Sequence, residues 1–409
     1  MTSSPATPQA SLVNILSIGF LIVGNLIGAG ILALPINTGL SGFIPSMFGL
    51  FLTSAAMFYS AIILSREAVG RQRSTFNFPS LYLEHLGVGG KWVAVVANLI
   101  ILYGLLTAYL TGITAIINKL FDLNIPTVWL MLGFFLMTSL ISLASVDKIM
   151  KYIAVIVVVK CGMFVVIAWM GGMHVKAANL SHSDWALFVC GIPILVTAFH
   201  FHNIIPAICE SLRWNQKTIN KTMLVGMSLG FAMNATWLLV GIGVLPLDNS
   251  PVGLINAFEQ NLPATIPLAQ IMNSETFLIL AGAFSLAAIT TAYLANGLGL
   301  IGFMDDLTNQ FTGRTNPILS RALAFLPPLL IALVYPDIFL EAINFAGGFG
   351  IVTLFGILPS IIAIRRARTP VEKGLGVAML VLFALFFLAE AGQEFGMLKI
   401  TPETEHWQQ

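Results

Sequence analysis

An apolar run of about 20 residues recurs eleven times along 409 positions, and no other property of the sequence narrows the possible folds as much. A hydrocarbon layer about 30 Å thick is crossed by about 20 helical residues. The runs lie near 12–34, 42–65, 92–118, 126–144, 150–171, 185–209, 222–246, 275–303, 319–335, 338–364 and 374–391. Backbone groups in hydrocarbon must bond internally, so each run is read as a helix and the chain as an all-α membrane protein. Composition agrees: 57% of residues are hydrophobic and 9% charged, against roughly a quarter charged in soluble domains. Nineteen Lys and Arg against eighteen Asp and Glu leave a net charge of +1, so no basic field exists for nucleic acid, and that partner is set aside. Cys161, Cys190 and Cys209 sit in or beside apolar runs without paired spacing and read as small core residues, neither a disulfide framework nor a zinc site.

Orientation follows from the cations, because Lys and Arg bias loops toward the cytoplasm. With the N-terminus inside, fifteen of the nineteen fall in cytoplasmic segments, Lys119, Lys176 and Lys399 fall on the opposite side, and Lys160 lies within a span. Residues 1–11 are then a cytoplasmic segment without Lys or Arg, which makes the run from Leu12 a retained first span rather than a cleavable signal. The odd number of spans places 392–409 outside as an extracytoplasmic tail. In segment 66–90, three arginines precede Pro79, Leu81, Leu83 and Leu86, the pattern of a short helix on the cytoplasmic surface. Residues 247–274 carry Pro251, Pro263 and Pro267 among apolar residues and no Lys or Arg; they are either a lid that folds back or a plain loop.

Two spans are interrupted. In the first, Gly24-Asn25-Leu26-Ile27-Gly28-Ala29-Gly30 places three glycines in seven residues ahead of Pro35. Each glycine costs a helix interior about 1 kcal/mol relative to alanine, which invites unwinding, although Gly24 and Gly28 also form a G-x-x-x-G packing face. In the sixth, Thr197-Ala198-Phe199-His200-Phe201-His202-Asn203 precedes Pro206. Polar side chains at that depth need internal partners, so the stretch is either a site or a satisfied structural network. Breaks in spans one and six are expected from two five-helix repeats of opposite orientation, over 12–171 and 185–364, followed by an eleventh helix at 374–391. Such paired breaks point to a transporter's binding site near the midplane. Half-helix N–H groups there suit a carboxylate and free carbonyls an ammonium, so a zwitterion fits both.

Lys160 lies nine residues beyond Lys151, about 13 Å along a helix and too deep to snorkel. Without an acidic residue at its depth, its partners must be carbonyls, hydroxyls or water, and loss of water disfavours its charged form. It is a candidate proton carrier, expected to tether span five to carbonyls of the broken first span and to Thr290 or Thr291; the alternative is a permanently charged structural lysine.

The glycine break with Ala33-Leu34-Pro35, the stretch Phe199-His200-Phe201-His202 before Pro206, the lysine of span five, and Phe325-Leu326-Pro327-Pro328 with Tyr335-Pro336 resemble the bacterial aromatic amino acid permeases over almost the whole chain. The resemblance implies a LeuT-type inverted-repeat fold of eleven transmembrane helices in the inner membrane, proton symport, no cofactor, and import of tyrosine, with tryptophan and phenylalanine as alternatives. It implies that Gly28, Ala29 and Gly30, beside Asn25 and Ile27, meet the substrate carboxylate. Phe199 and neighbouring carbonyls, with Phe201, His202 and Asn203 around them, would receive the amino group, and Tyr103, Tyr109 and Asn296 would line the pocket. Sodium-coupled relatives hold a metal between spans one, five and eight with hydroxyls like those of Thr290 and Thr291; here Lys160 would take that place. His200 departs from the family pattern, which has glycine beside the pocket, and bears on substrate identity. The competing readings are a sodium-coupled or exchanging transporter of another neutral amino acid, a membrane enzyme, which lacks a metal-ligand constellation such as H-E-x-x-H, and a channel, which lacks pore-lining charges.

Overall fold

The computed structural model describes residues 12–72, 77–121 and 123–398, and every regular element within them is helical. The expected cytoplasmic segment 1–11 and positions 399–409 of the expected tail lie outside the described residues, as do Arg73 and Lys399. The first group of helices is α1 (Leu12–Leu26), α2 (Gly30–Gly39), α3 (Phe43–Arg71), α4 (Phe78–Ala115), α5 (Thr127–Ile141) and α6 (Val146–Gly172). A short turn α7 (Ala177–Leu180) leads into α8 (Ile192–Ala198), α9 (Ile205–Ser211) and α10 (Gln216–Val244). Then come α11 (Leu254–Glu259), α12 (Thr265–Met272), α13 (Glu275–Thr312), α14 (Pro317–Val334), α15 (Phe339–Phe345), α16 (Leu358–Arg366) and α17 (Pro370–Glu394).

Among the described residues, nine helical stretches are long and apolar enough to cross a membrane, and α1 with α2, bent by 56° at their break, makes a tenth. The expected fourth span is α5, whose fifteen residues fall short of the roughly 20 a bilayer requires. Trp169, Val158 and Leu140, on α6 and α5, are about 70% exposed, an apolar perimeter that water would not tolerate but lipid would.

Both sequence interruptions are real breaks in the helices. Residues 27–29 separate α1 from α2, and residues 199–201 separate α8 from a 3₁₀ turn, His202–Ile204, that leads into α9. Pro193 and Pro206 each stand in the first turn of a half-helix, where a missing N–H loses no helical bond. In α4, Gly87 adopts φ +74°, a left-handed conformation that glycine accepts without a Cβ clash, and so divides a docking helix, 78–86, from the span proper. That docking helix is tied down at both ends. Asn77 caps it by accepting from the Ser80 N–H at 2.9 Å, and Arg71 Nη2 donates to Glu84 Oε2 at 2.6 Å. Leu81 and Tyr82 are buried, and the Tyr82 hydroxyl donates to the Leu354 carbonyl at 2.6 Å, so the segment is packed inward rather than resting on the surface.

Segment 247–274 is not a plain loop. It forms α11 and α12 and folds back over α2: the Ala264 N–H donates to the Leu32 carbonyl at 2.7 Å, and the Thr265 and Ser285 hydroxyls lie 3.0 Å apart against α13. Residues Ala346–Ile357 are π-helical and packed against α4, α8 and α17. The run Gly226-Met227-Ser228-Leu229-Gly230 has the spacing of a hydrolase nucleophile motif. It lies inside the continuous helix α10, its glycines facing Ile22 and Leu26, without the strand-turn-helix that such a nucleophile needs.

Helices approach closely at Gly241 of α10, where an added Cβ would stand 2.3 Å from the Pro35 ring of α2. A rigid ring cannot yield by a rotamer change. Gly241→Ala should therefore lower stability by about 1–3 kcal/mol, whereas Gly162→Ala, at a position with nothing within 4 Å, should be neutral or stabilising. Thermal unfolding in detergent checks the pair; equal melting shifts would mean that α2 and α10 do not meet at this contact.

Candidate functional site

A continuous helix bonds each carbonyl to the N–H four residues on, so a break leaves carbonyls at its edge without partners. The N–H of Ile31, which would have bonded to Ile27, turns to the Gly28 carbonyl at 3.4 Å instead. Lys160 fills the vacancy. Its Nζ donates to the Ile27 carbonyl at 2.7 Å, to the Gly24 carbonyl at 3.1 Å and to Thr291 Oγ1 at 3.2 Å. Three donors meet three acceptors, so an ammonium is satisfied without a carboxylate. The carboxyl end of α1 adds its own negative partial charge. Gly24 serves twice, because a Cβ there would stand 2.7 Å from Val157 and hold α6 away. Thr291 Oγ1 also donates to the Ala287 carbonyl at 2.8 Å. Thr290, the other hydroxyl of the sequence expectation, makes no hydrogen bond to Lys160.

Beside this junction lies a cavity of about 190 Å³ between the two breaks. The first break contributes Asn25, Gly28, Ala29 and Gly30, the second Thr197, His200 and Asn203. Tyr109 of α4 and Asn296 of α13 close the far wall, joined by an Asn296 Nδ2 donation to the Tyr109 hydroxyl at 3.3 Å. Among the described residues, His200 Nε2 and Asn296 Oδ1 are buried without a hydrogen-bond partner. Buried polar atoms are rarely left so, and both line a space large enough for a polar guest. The N–H groups of Gly28, Ala29 and Gly30 stand at the amino end of α2, the end of a helix that attracts negative charge.

His200, Asn203, Ala295 and Asn296 also border a second cavity of about 190 Å³, which reaches Asn77 and Asp306 on the arginine-rich face. Toward the other face, α11 and α12 lie across α2, and Asn37 of α2 donates to Asn344 Oδ1 of α15 at 2.7 Å. Among the described residues the site thus communicates with one face and is covered toward the other.

Several residues singled out from sequence lie away from this cavity. Tyr103 donates to the Leu323 carbonyl at 2.8 Å and borders a separate peripheral cavity with Glu341 and Glu394. Six residues on a helix turn through about 600°, so Tyr103 and Tyr109 face different sides of α4. Phe199 is fully buried and stacks on Phe231, Phe201 packs against the His202 ring, and Ile27 contributes its carbonyl while its side chain is buried. His202 Nε2 lies 3.1 Å from the Met57 carbonyl, to which it donates, and its ring stacks on Phe355. The His200 ring stacks on Phe355 as well, so that both imidazoles meet the same ring, and of the two only His200 borders the cavity. Sequence reasoning missed Leu105, Met150, Ala292 and Ala295, while Thr197 opens the interrupted stretch it did single out. Apolar and small wall residues carry no chemical signal; the one available clue is that Ala292 and Ala295 share a helical face with Asn296.

With this geometry in view, relatives of the chain are informative. A tyrosine-specific transport system 1 from Haemophilus influenzae is 30% identical over 341 residues, covering 80% of this chain and 82% of the relative. A tryptophan-specific transport protein from Shigella flexneri is 26% identical over 336 residues, covering 80% of this chain and 81% of that protein. A manganese transporter from Eremococcus coleocola, solved as a point mutant, superposes with a TM-score of 0.61 over 99% of this chain and 92% of its own at 16% identity, a likeness of fold alone. The sequence pattern of the tryptophan/tyrosine permease family matches residues 13–389, almost the whole described chain. This multi-pass membrane protein belongs to the tryptophan/tyrosine permease family, a family of transport proteins and not of enzymes.

Proposed function

We propose that this chain imports an aromatic amino acid, tyrosine first, together with a proton, by alternating access across a bacterial inner membrane. The observation that carries the reading is the cavity between two broken helices, with helix N–H groups on one wall and unpartnered polar atoms on the other. Relatives named for tyrosine-specific and tryptophan-specific transport supply the substrate class. The substrate carboxylate meets the N–H groups of Gly28, Ala29 and Gly30, and its ammonium meets the carbonyls freed between α8 and α9. The ring lies toward Tyr109, Asn296 and His200. In this reading α5 counts as a short eleventh span, and the chain is a LeuT-type pair of inverted five-helix repeats, 12–171 and 185–364, with α17 added. The N-terminus is cytoplasmic and the C-terminus periplasmic, supported by the skew of cations between the two faces.

Lys160 is the proton-coupling group in this scheme, with Thr291 as its partner. Protonated, it ties α6 to the end of α1 and to α13; deprotonated, it loses the charge that makes those three bonds strong. A proton drives transport only if the two access states bind it with different affinity, and a tether made in one state and broken in the other supplies that difference. The same oxygens are occupied by the ammonium, which is why sodium is not the coupling ion here.

In proteoliposomes, an acid-outside gradient should drive tyrosine accumulation that persists when choline replaces sodium. Lys160→Met should abolish the gradient response, reducing accumulation at least tenfold. An undiminished response would remove Lys160 from the coupling, and a requirement for sodium would replace the proton.

His200 bears on which ring is chosen. If its free Nε2 bonds the substrate hydroxyl, His200→Ala should raise the tyrosine KM by roughly 2- to 10-fold, the size of one hydrogen bond, and leave phenylalanine nearly unchanged. Competition of labelled tyrosine uptake by phenylalanine and tryptophan reads this out. An equal loss for phenylalanine would mean that the imidazole only shapes the wall.

A further inference from the structure

We propose that the arginine-rich face carries a binding site for an anionic phospholipid, in the cleft between α3, α16 and α17. The cleft has about 830 Å³ of space and lies apart from the substrate cavity, sharing none of its lining residues. Four guanidinium groups border it, those of Arg66, Arg365, Arg366 and Arg368, against two carboxylates, Glu67 and Glu372. Glu67 is already engaged. It accepts from Arg71 Nη1 at 3.2 Å and from Arg366 Nη2 at 3.3 Å, and its Oε2 lies 3.0 Å from His85 Nε2. Glu372 accepts from the backbone N–H of Arg368 at 2.8 Å, which fixes the short connection between α16 and α17. The guanidinium groups of Arg66 and Arg368 donate no hydrogen bond within the described protein, and the Arg366 side chain remains 60% exposed with donors to spare. Arg365 Nη1 already donates to the His85 carbonyl, so the positive charge left in excess is that of Arg66, Arg368 and the exposed side of Arg366.

The position of the cleft decides what kind of anion fits. Arg66 lies in the last turns of α3, Arg366 is the final residue of α16, and Arg368 comes two residues before Pro370 opens α17. All three sit where apolar helix gives way to polar chain, at headgroup level. Behind them the cleft wall turns apolar at Ile62, Ile362 and Leu375. Leu375 and Val371 on α17 are 46% and 80% exposed, offering hydrocarbon to hydrocarbon. A soluble phosphate would use the guanidiniums and leave this wall bare. A phospholipid uses both, its phosphate on the arginines and its chains along α17. Basic pockets between membrane helices on the cationic side recognise phospholipid headgroups in this way.

Native mass spectrometry of the full chain, titrated with cardiolipin, phosphatidylglycerol or phosphatidylethanolamine of matched acyl chains, tests the site. Cardiolipin and phosphatidylglycerol should be retained over phosphatidylethanolamine. Arg66→Gln with Arg368→Gln should weaken cardiolipin binding by roughly an order of magnitude. Each single variant should give part of that loss, so the outcome does not depend on the double variant alone. Lys148→Gln with Lys151→Gln, an equal charge loss at the start of α6, should change nothing. Equal retention of phosphatidylethanolamine, equal losses from the lysine pair, or no loss from the arginine pair would overturn the site. Displacement of cardiolipin by excess inorganic phosphate, with the phosphate itself retained, would reassign it to a soluble anion.

Discussion

A backbone group set free inside hydrocarbon has to find a partner within the protein, and the break in the first span frees carbonyls at depth. Lys160 answers that need by donating to the carbonyls of Gly24 and Ile27 while Thr291 takes its third bond. One side chain thereby joins α1, α6 and α13. The arrangement requires Gly24, because only a residue without a Cβ lets Val157 and its helix come close enough for the lysine to reach. The unwound backbone and the buried amine are each costly alone and become tolerable only together.

The cavity between the two breaks is the other product of the same interruption. Interrupting α1 and α2 exposes N–H groups at Gly28, Ala29 and Gly30, and interrupting α8 and α9 turns His200 and Asn203 toward them. A lid of two short helices, α11 and α12, lies across α2 and covers one side. The second cavity, sharing His200 and Asn296, continues toward Asn77 and Asp306 on the other. Asymmetry of access is therefore built from the same residues that line the cavity.

Much of the architecture was legible before any coordinates. Apolar runs long enough to span a bilayer mark their own positions, and the glycine cluster and the stretch around His200 announce their breaks, because helix propensity and hydrocarbon solvation act on neighbours in sequence. The tether of Lys160 to the first break and to one of two adjacent threonines was also foreseeable, since a buried amine without a carboxylate has few other partners. The choice of Thr291 over Thr290 was not, because adjacent helical residues point about 100° apart and only packing says which faces α6. The position of Tyr103 was misjudged for the same reason: its identity suggests a pocket, while its phase on α4 carries it to the periphery. Segment 247–274 left lid and loop undecided, and its burial against α2 depends on contacts remote in sequence.

The order of residues is enough to say that this chain crosses a membrane many times, which face carries the cations, where two helices come apart and which lone charge is buried. These follow from local properties, the length of an apolar run, the flexibility of glycine and the cost of a charge away from water. Packing in three dimensions settles the rest: which side chains share a cavity, that His200 Nε2 lies buried without a partner among the described residues while His202 is bonded to Met57, and that Arg66 and Arg368 meet in one cleft. Those facts depend on the rotation of each helix about its axis and on which helices touch, and both are set by close contact between residues far apart in the chain.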